Sequence, residues 1–160
     1  MSGLPGVNPL RRQWLRASGS WLTLVAALGS GWLLPARAWA AWNRAAFEAR
    51  AQAVALKQLG VSGAIESDDI VIKAPDVAEN GAFVPITVSS RIAGTRAISV
   101  LVEKNRYPLI ATFRFGPGVE AFVSTRIKMG ESSTLRAVVE ADGQFYTAAT
   151  SVLVTLGGCG

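Results

Sequence analysis

Histidine is absent from all 160 residues, and cysteine occurs once, as Cys159. Each scarcity removes chemistry. Without histidine there is no Ser-His-Asp or Cys-His pair and no imidazole to trade protons near neutral pH. Most zinc and copper sites lose their usual ligand as well. A single cysteine cannot close a disulfide within the chain, so it is either joined to another chain or kept as a thiol. Acidic residues are missing from the first 40 positions, although the chain holds 11. A long unbroken apolar run is missing too. The segment Trp21–Leu28 is followed by Gly-Ser-Gly and Trp32-Leu33-Leu34, and it falls short of the roughly 20 residues that a membrane span needs.

What stands in those first 40 positions is an export signal. Arg11-Arg12-Gln13-Trp14-Leu15-Arg16 is a twin-arginine start, Pro35 breaks the apolar run, and Ala38-Trp39-Ala40 is the small-x-small pattern of a signal peptidase site. Residues 1–40 are read as a twin-arginine signal peptide. That route moves folded proteins across the bacterial inner membrane, so the expected location is the periplasm, with no membrane attachment after cleavage. The signal also carries four of the 16 basic residues and none of the 11 acidic ones, which leaves 12 against 11 in the remainder. A net charge of +1 with no clustered basic face excludes a nucleic-acid footprint.

The remainder is long enough for one domain. Trp42, Ala45, Ala46, Ala49, Ala53, Leu56 and Leu59 recur at three-and-four spacing, which predicts one helix over 42–59 with Gly60 as its stop. After Gly63 the period changes. Short β runs follow at 70–73, 83–88, 97–103, 109–115, 121–129, 133–140 and 144–155, separated by Asn80-Gly81, Ala93-Gly94, Gly116-Pro117-Gly118, Met129-Gly130 and Asp142-Gly143. The predicted fold is all-β: an immunoglobulin-like β-sandwich of about seven strands with an N-terminal helix, over residues 41–155. Asp142-Gly143 is a two-residue hairpin signal, and Pro85 suits an edge or a strand start.

Beyond Thr155 the side chains run out. Leu156-Gly157-Gly158-Cys159-Gly160 has little to pack, so residues 156–160 are expected to form a flexible arm. Nothing near the thiol activates it: there is no second cysteine and no helix start, and the carboxylate of Gly160 disfavours the thiolate. A reachable but unactivated thiol suits a covalent attachment point whose chemistry is supplied by other proteins. Two other uses stay open. A structural or adhesive sandwich domain could use Cys159 for an intermolecular disulfide, and a thiol enzyme is the third.

Several segments, taken in order, resemble the SoxY family, the carrier subunits of the bacterial periplasmic thiosulfate-oxidising (Sox) system. They are Ala74 through Val88, Glu103-Lys104-Asn105 with Tyr107-Pro108-Leu109, Phe113-Arg114-Phe115, Ser124 through Met129, and the terminal Gly157-Gly158-Cys159-Gly160. The resemblance implies a non-enzymatic carrier without cofactor or metal, in a heterodimer with SoxZ. Thiosulfate-derived sulfur adducts would be covalently bound to Cys159, with Gly157, Gly158 and Gly160 giving clearance. It implies transient clients: SoxAX to conjugate thiosulfate, SoxB to hydrolyse the sulfone group, and SoxCD, where present, to oxidise the remaining sulfane sulfur. The family tail usually reads Gly-Gly-Cys-Gly-Gly, one glycine more than this one. Asp68-Asp69 and Glu79-Asn80-Gly81 are read as turns, and Arg126, Lys128 and Arg136 as a solvated face. Phe113, Phe115 and Phe122 are candidates for the partner-facing surface.

Overall fold

A computed structural model describes residues 43–156. They form two short helices, α1 (Arg44–Phe47) and α2 (Gln52–Gln58), and nine strands. The strands are β1 (Ile65–Glu66), β2 (Ile70–Lys73), β3 (Val77–Asn80), β4 (Val84–Ser90), β5 (Thr95–Val102), β6 (Leu109–Arg114), β7 (Phe122–Ile127), β8 (Ser133–Ala141) and β9 (Gln144–Leu156). One sheet runs β1-β9-β8-β5-β6, with β3 also paired to β9; the other runs β2-β4-β7. The all-β two-sheet sandwich expected from the alternation is the fold observed.

Alternation explains the core. Val84, Ile86 and Val88 of β4 and Val123 and Ile127 of β7 face Ile98, Val100 and Val102 of β5 and Leu135, Ala137 and Val139 of β8. The opposite face of β5 is buried as well. Leu101, with Leu109 and Val138, lies under Ala46, Ala49 and Ala55 of the helical segment, which is why β5 lacks a polar face. The buried Ser99 hydroxyl pairs with the half-buried Thr112 hydroxyl at 2.9 Å and joins β5 to β6.

The single helix expected over 42–59 is instead two. The Asn43 side chain accepts from the Ala46 amide at 3.1 Å and donates to the Gln58 carbonyl at 2.6 Å. One residue therefore caps α1 and ties it to the end of α2, which requires the chain to fold back between them. Ala51 is extended (φ −129°, ψ 138°), and the break lets alanines from both pieces reach the same sheet. Gly60 (φ 78°) ends α2 as expected. The Gly60 amide bonds the Lys57 carbonyl and the Val61 amide bonds the Leu56 carbonyl, both at 3.0 Å, the double closure of a glycine-terminated helix.

Two strands escape the alternation pattern. β1 and β3 run parallel to β9, β1 beside its start and β3 beside its end. The seven expected runs correspond to the other strands. Glu79 and Asn80, expected in a turn, close β3, and the turn proper runs from Asn80 to Phe83 through the bond from the Phe83 amide to the Asn80 carbonyl at 3.3 Å. Asp68 and Asp69 do form an exposed turn. Pro85 lies in the middle strand of its sheet but near that strand's start, paired with Arg126 and beyond the reach of β2, whose register begins at Thr87. Leu156, assigned to the arm from sequence, is the last residue of β9 and the register partner of Asn80.

Candidate functional site

The candidate site residues Cys159, Gly157, Gly158 and Gly160 lie outside the described residues. What the structure fixes is the root from which they depart. β8 accompanies β9 as far as Val152, opposite Ser133. Beyond that point β9 is held by other means. The Val154 amide donates to Ser132 Oγ at 2.9 Å, so one side chain replaces a strand partner. On the β3 side the Leu153 amide bonds the Asp76 carbonyl at 2.9 Å, and Thr155 Oγ1 donates to the Glu79 carbonyl at 3.0 Å. The Gly81 amide bonds the Leu156 carbonyl at 2.8 Å, and the Gly81 carbonyl accepts from the Met129 amide at 2.7 Å. Gly81 is buried, so this small residue links the end of β9 to the loop after β7. With a bond at each of its last four residues, three through the backbone and one through the Thr155 hydroxyl, the end of β9 is well positioned before the glycines begin.

The loops around the root are braced against each other. Asn105 Nδ2 donates to the Lys128 carbonyl at 2.7 Å, and the Gly130 amide donates to Asn105 Oδ1 at 2.9 Å. The β5–β6 loop and the β7–β8 loop are thus clamped by one amide side chain. Pro108 is fully buried beside it, and its carbonyl accepts from the Val102 amide at 2.8 Å. These bonds give Asn105 and Pro108, both within the segments singled out from sequence, a structural purpose next to the root.

Of the proposed basic face, Arg126 and Lys128 are exposed, while Arg136 is half-buried on the other sheet and donates to Thr147 Oγ1 at 3.1 Å. They do not share a surface. Two of the three partner-facing phenylalanines are also corrected: Phe113 and Phe115 pack against the core. Only Phe122 is substantially open, at 50% exposure. Several large apolar side chains are exposed that the sequence reading missed: Phe83 and Leu156, each at 70%, with Leu153 at 60% and Val77 at 50%, belong to the elements around the root, while Val54, Ile65 and Val119 lie elsewhere. Val77 and Leu153 are register partners, and strand alternation had placed Phe83 inside a run whose buried face begins one residue later, at Val84.

A cleft of about 910 Å³ opens at the other end of the sandwich, where Arg91, Arg96 and Arg114 stand with Glu120 and Asp142. β9 starts at that end, beside Asp142, and its 13 residues span about 40 Å at the usual rise of a strand. Cys159 is three residues past Leu156, a reach of about 10 Å. The cleft is therefore out of reach of Cys159. Among the described residues no group of three or more Cys, Asp or Glu side chains is arranged to hold a metal ion.

The model of the family described as "Sulfur oxidation protein SoxY" matches residues 56–159, a span that takes in Cys159. Among solved structures, the sulfur carrier protein SoxY from Chlorobium limicola f thiosulfatophilum is 40% identical, with 63% of this chain and 92% of that one covered and a TM-score of 0.58. The superoxide reductase (neelaredoxin) from Ignicoccus hospitalis is 20% identical over 53% of this chain and 78% of that one, with a TM-score of 0.48. No curated protein matches the chain.

Proposed function

Because this chain belongs to the SoxY family of sulfur oxidation proteins, we propose that it carries sulfur intermediates covalently on Cys159 and presents them to other enzymes. The observation that carries the proposal is the root. A strand pinned through its last residue, Leu156, delivers the chain's only thiol three residues further on. The carrier function is the family's; the residue, the partner and the clients are the proposal. The partner is SoxZ, in a heterodimer. SoxAX forms a disulfide bond between the Cys159 sulfur and the sulfane sulfur of thiosulfate; two electrons pass to the cytochrome enzyme and the thiol proton to solvent. SoxB adds water across the terminal sulfone, releasing sulfate and leaving a persulfide. SoxCD, where present, oxidises that sulfane sulfur.

The chain is not itself the catalyst. It has no histidine, and its thiol has no neighbouring cysteine, so bond making depends on groups that the clients supply. Residues 1–40 act as a twin-arginine signal peptide, the sandwich and its helices form the carrier domain, and the work takes place in the periplasm. Arg11-Arg12 and Ala38-Trp39-Ala40 support that location.

Intact-mass measurement of the protein taken from its native compartment tests the reading. Sulfur adducts removable by a reductant are expected on Cys159. A stoichiometric disulfide-linked homodimer without adducts would point instead to a structural use of the thiol. A Cys159→Ser chain is expected to fold and to bind SoxZ, because the change lies outside the core, yet to support no thiosulfate oxidation.

A further inference from the structure

We propose that Asn80 is a modification site, an asparagine poised to deamidate that the end of β9 holds unreacted. Of the four asparagines in the chain, it alone precedes a glycine. Asparagine is thermally labile, and in this position it cyclises readily, because glycine has no Cβ to keep its own nitrogen from the neighbouring carboxamide. In the reaction the Gly81 amide gives its proton to a solvent base, and its nitrogen forms a bond to Asn80 Cγ. The bond from Cγ to Nδ2 breaks, and ammonia leaves after taking up a proton. Water then opens the succinimide ring at either carbonyl, which gives aspartate or isoaspartate. No oxidant or cofactor enters.

The structure treats the two reactants differently. Asn80 is exposed, and its Oδ1 accepts from the Ala82 amide at 2.8 Å. That bond draws charge from the carbonyl and favours attack at Cγ. The restraint lies on the nucleophile. Gly81 is buried. Its amide donates to the Leu156 carbonyl at 2.8 Å, and its carbonyl accepts from the Met129 amide at 2.7 Å. A buried, hydrogen-bonded amide neither meets base nor takes on the negative charge that attack requires. It is released only when the pairing of β3 with β9 opens at Asn80 and Leu156. The bonds of Val154 to Ser132 and of Thr155 to the Glu79 carbonyl keep that pairing closed. Opening a strand end costs less than unfolding the domain, so the rate at Asn80 reports on the end of β9. The product harms the same place. Isoaspartate puts an extra methylene into the main chain, and the register of β3 against Leu156 is lost. All of this holds whatever Cys159 carries.

The test follows aspartate and isoaspartate at position 80 by peptide mapping, in the full chain kept at mildly alkaline pH. The folded protein is expected to deamidate at least about tenfold more slowly than the same chain unfolded in guanidinium chloride. Removing both holding bonds, with Ser132→Ala and Thr155→Ala together, should speed the reaction of the folded protein about fivefold. Exchange of the Gly81 amide should rise by the same factor while Val139 stays protected. Thr155→Ala alone, an exposed change, should act in the same direction. The unfolded double variant should react as the unfolded parent does. Equal rates in the folded and unfolded parent overturn the proposal. So does a parental rate in the folded double variant. Loss of protection at Val139 in step with Gly81 would mean that only global unfolding frees the amide, and that outcome overturns the part given to the end of β9.

Discussion

Gly94 shows how much one missing side chain can matter. It has φ of 70°, and a Cβ placed on it would lie 2.5 Å from Asp142 Oδ1 and 2.7 Å from Asp142 Cγ. Asp142 is exposed and its carboxylate can turn aside, so the lasting cost lies in the backbone. Asp142 itself sits at φ 48° beside Gly143 at φ 77°, the left-handed pair that a two-residue hairpin between β8 and β9 requires. Gly94→Ala should therefore cost at least about 1–2 kcal/mol from the backbone alone, read as a lower urea midpoint with an unchanged slope. The effect belongs to stability. Gly94 lies at the far end of the sandwich from Cys159, so loading of the thiol at low temperature should be unaltered. The Asp142-Gly143 turn was legible in the sequence because both residues announce it. Gly94 was legible as a turn residue; its close approach to Asp142 was not, because that carboxylate lies 48 positions away in the chain.

Among the elements, the strands that alternate over four residues or more were readable, and those that do not were hidden. β3 buries Ala78 alone of its four residues, which leaves no pattern to find. Yet β3 is what holds the end of β9. The helix was misread for a related reason. Its apolar spacing is real, but the Asn43 bond to Gln58 joins positions too far apart for any local period to show. Ser132 is the element-scale counterpart of β3 on the opposite edge, taking the Val154 amide after β8 has ended. Ser132→Ala should cost about 1 kcal/mol, the usual worth of such a bond. It should also raise amide exchange at Val154 severalfold while Val139 and Val152, deep in the sandwich, remain protected. Equal loss of protection throughout would mean that the end of β9 is not an independently held segment.

At the scale of the whole molecule, the sandwich has two unlike ends. One carries the root of the arm; the other carries the arginine-lined cleft. The composition of the arm was evident from sequence, and the thiol with it. The surroundings of its root were not, because Asn80, whose turn carries Phe83, comes beside Leu156 only through the pairing of β3 with β9. The cleft end should be silent in cargo chemistry. Arg96→Glu, an exposed change there, is expected to leave KM for the proposed conjugating enzyme within twofold of the parent, measured as the rate of thiosulfate conjugation against carrier concentration. A tenfold rise would place a client contact at the wrong end of the molecule.

β9 has a mechanical consequence as well. On the proposed carrier reading, drawing a loaded thiol out of an enzyme pulls on Leu156, and a pull along the axis of β9 is shared by its bonds to β8, β1 and β3 at once. The bonds are sheared together and are not opened one after another like a zip. A strand of 13 residues loaded in this way works as an anchor post, so repeated docking and release need not fray the fold that holds the tether.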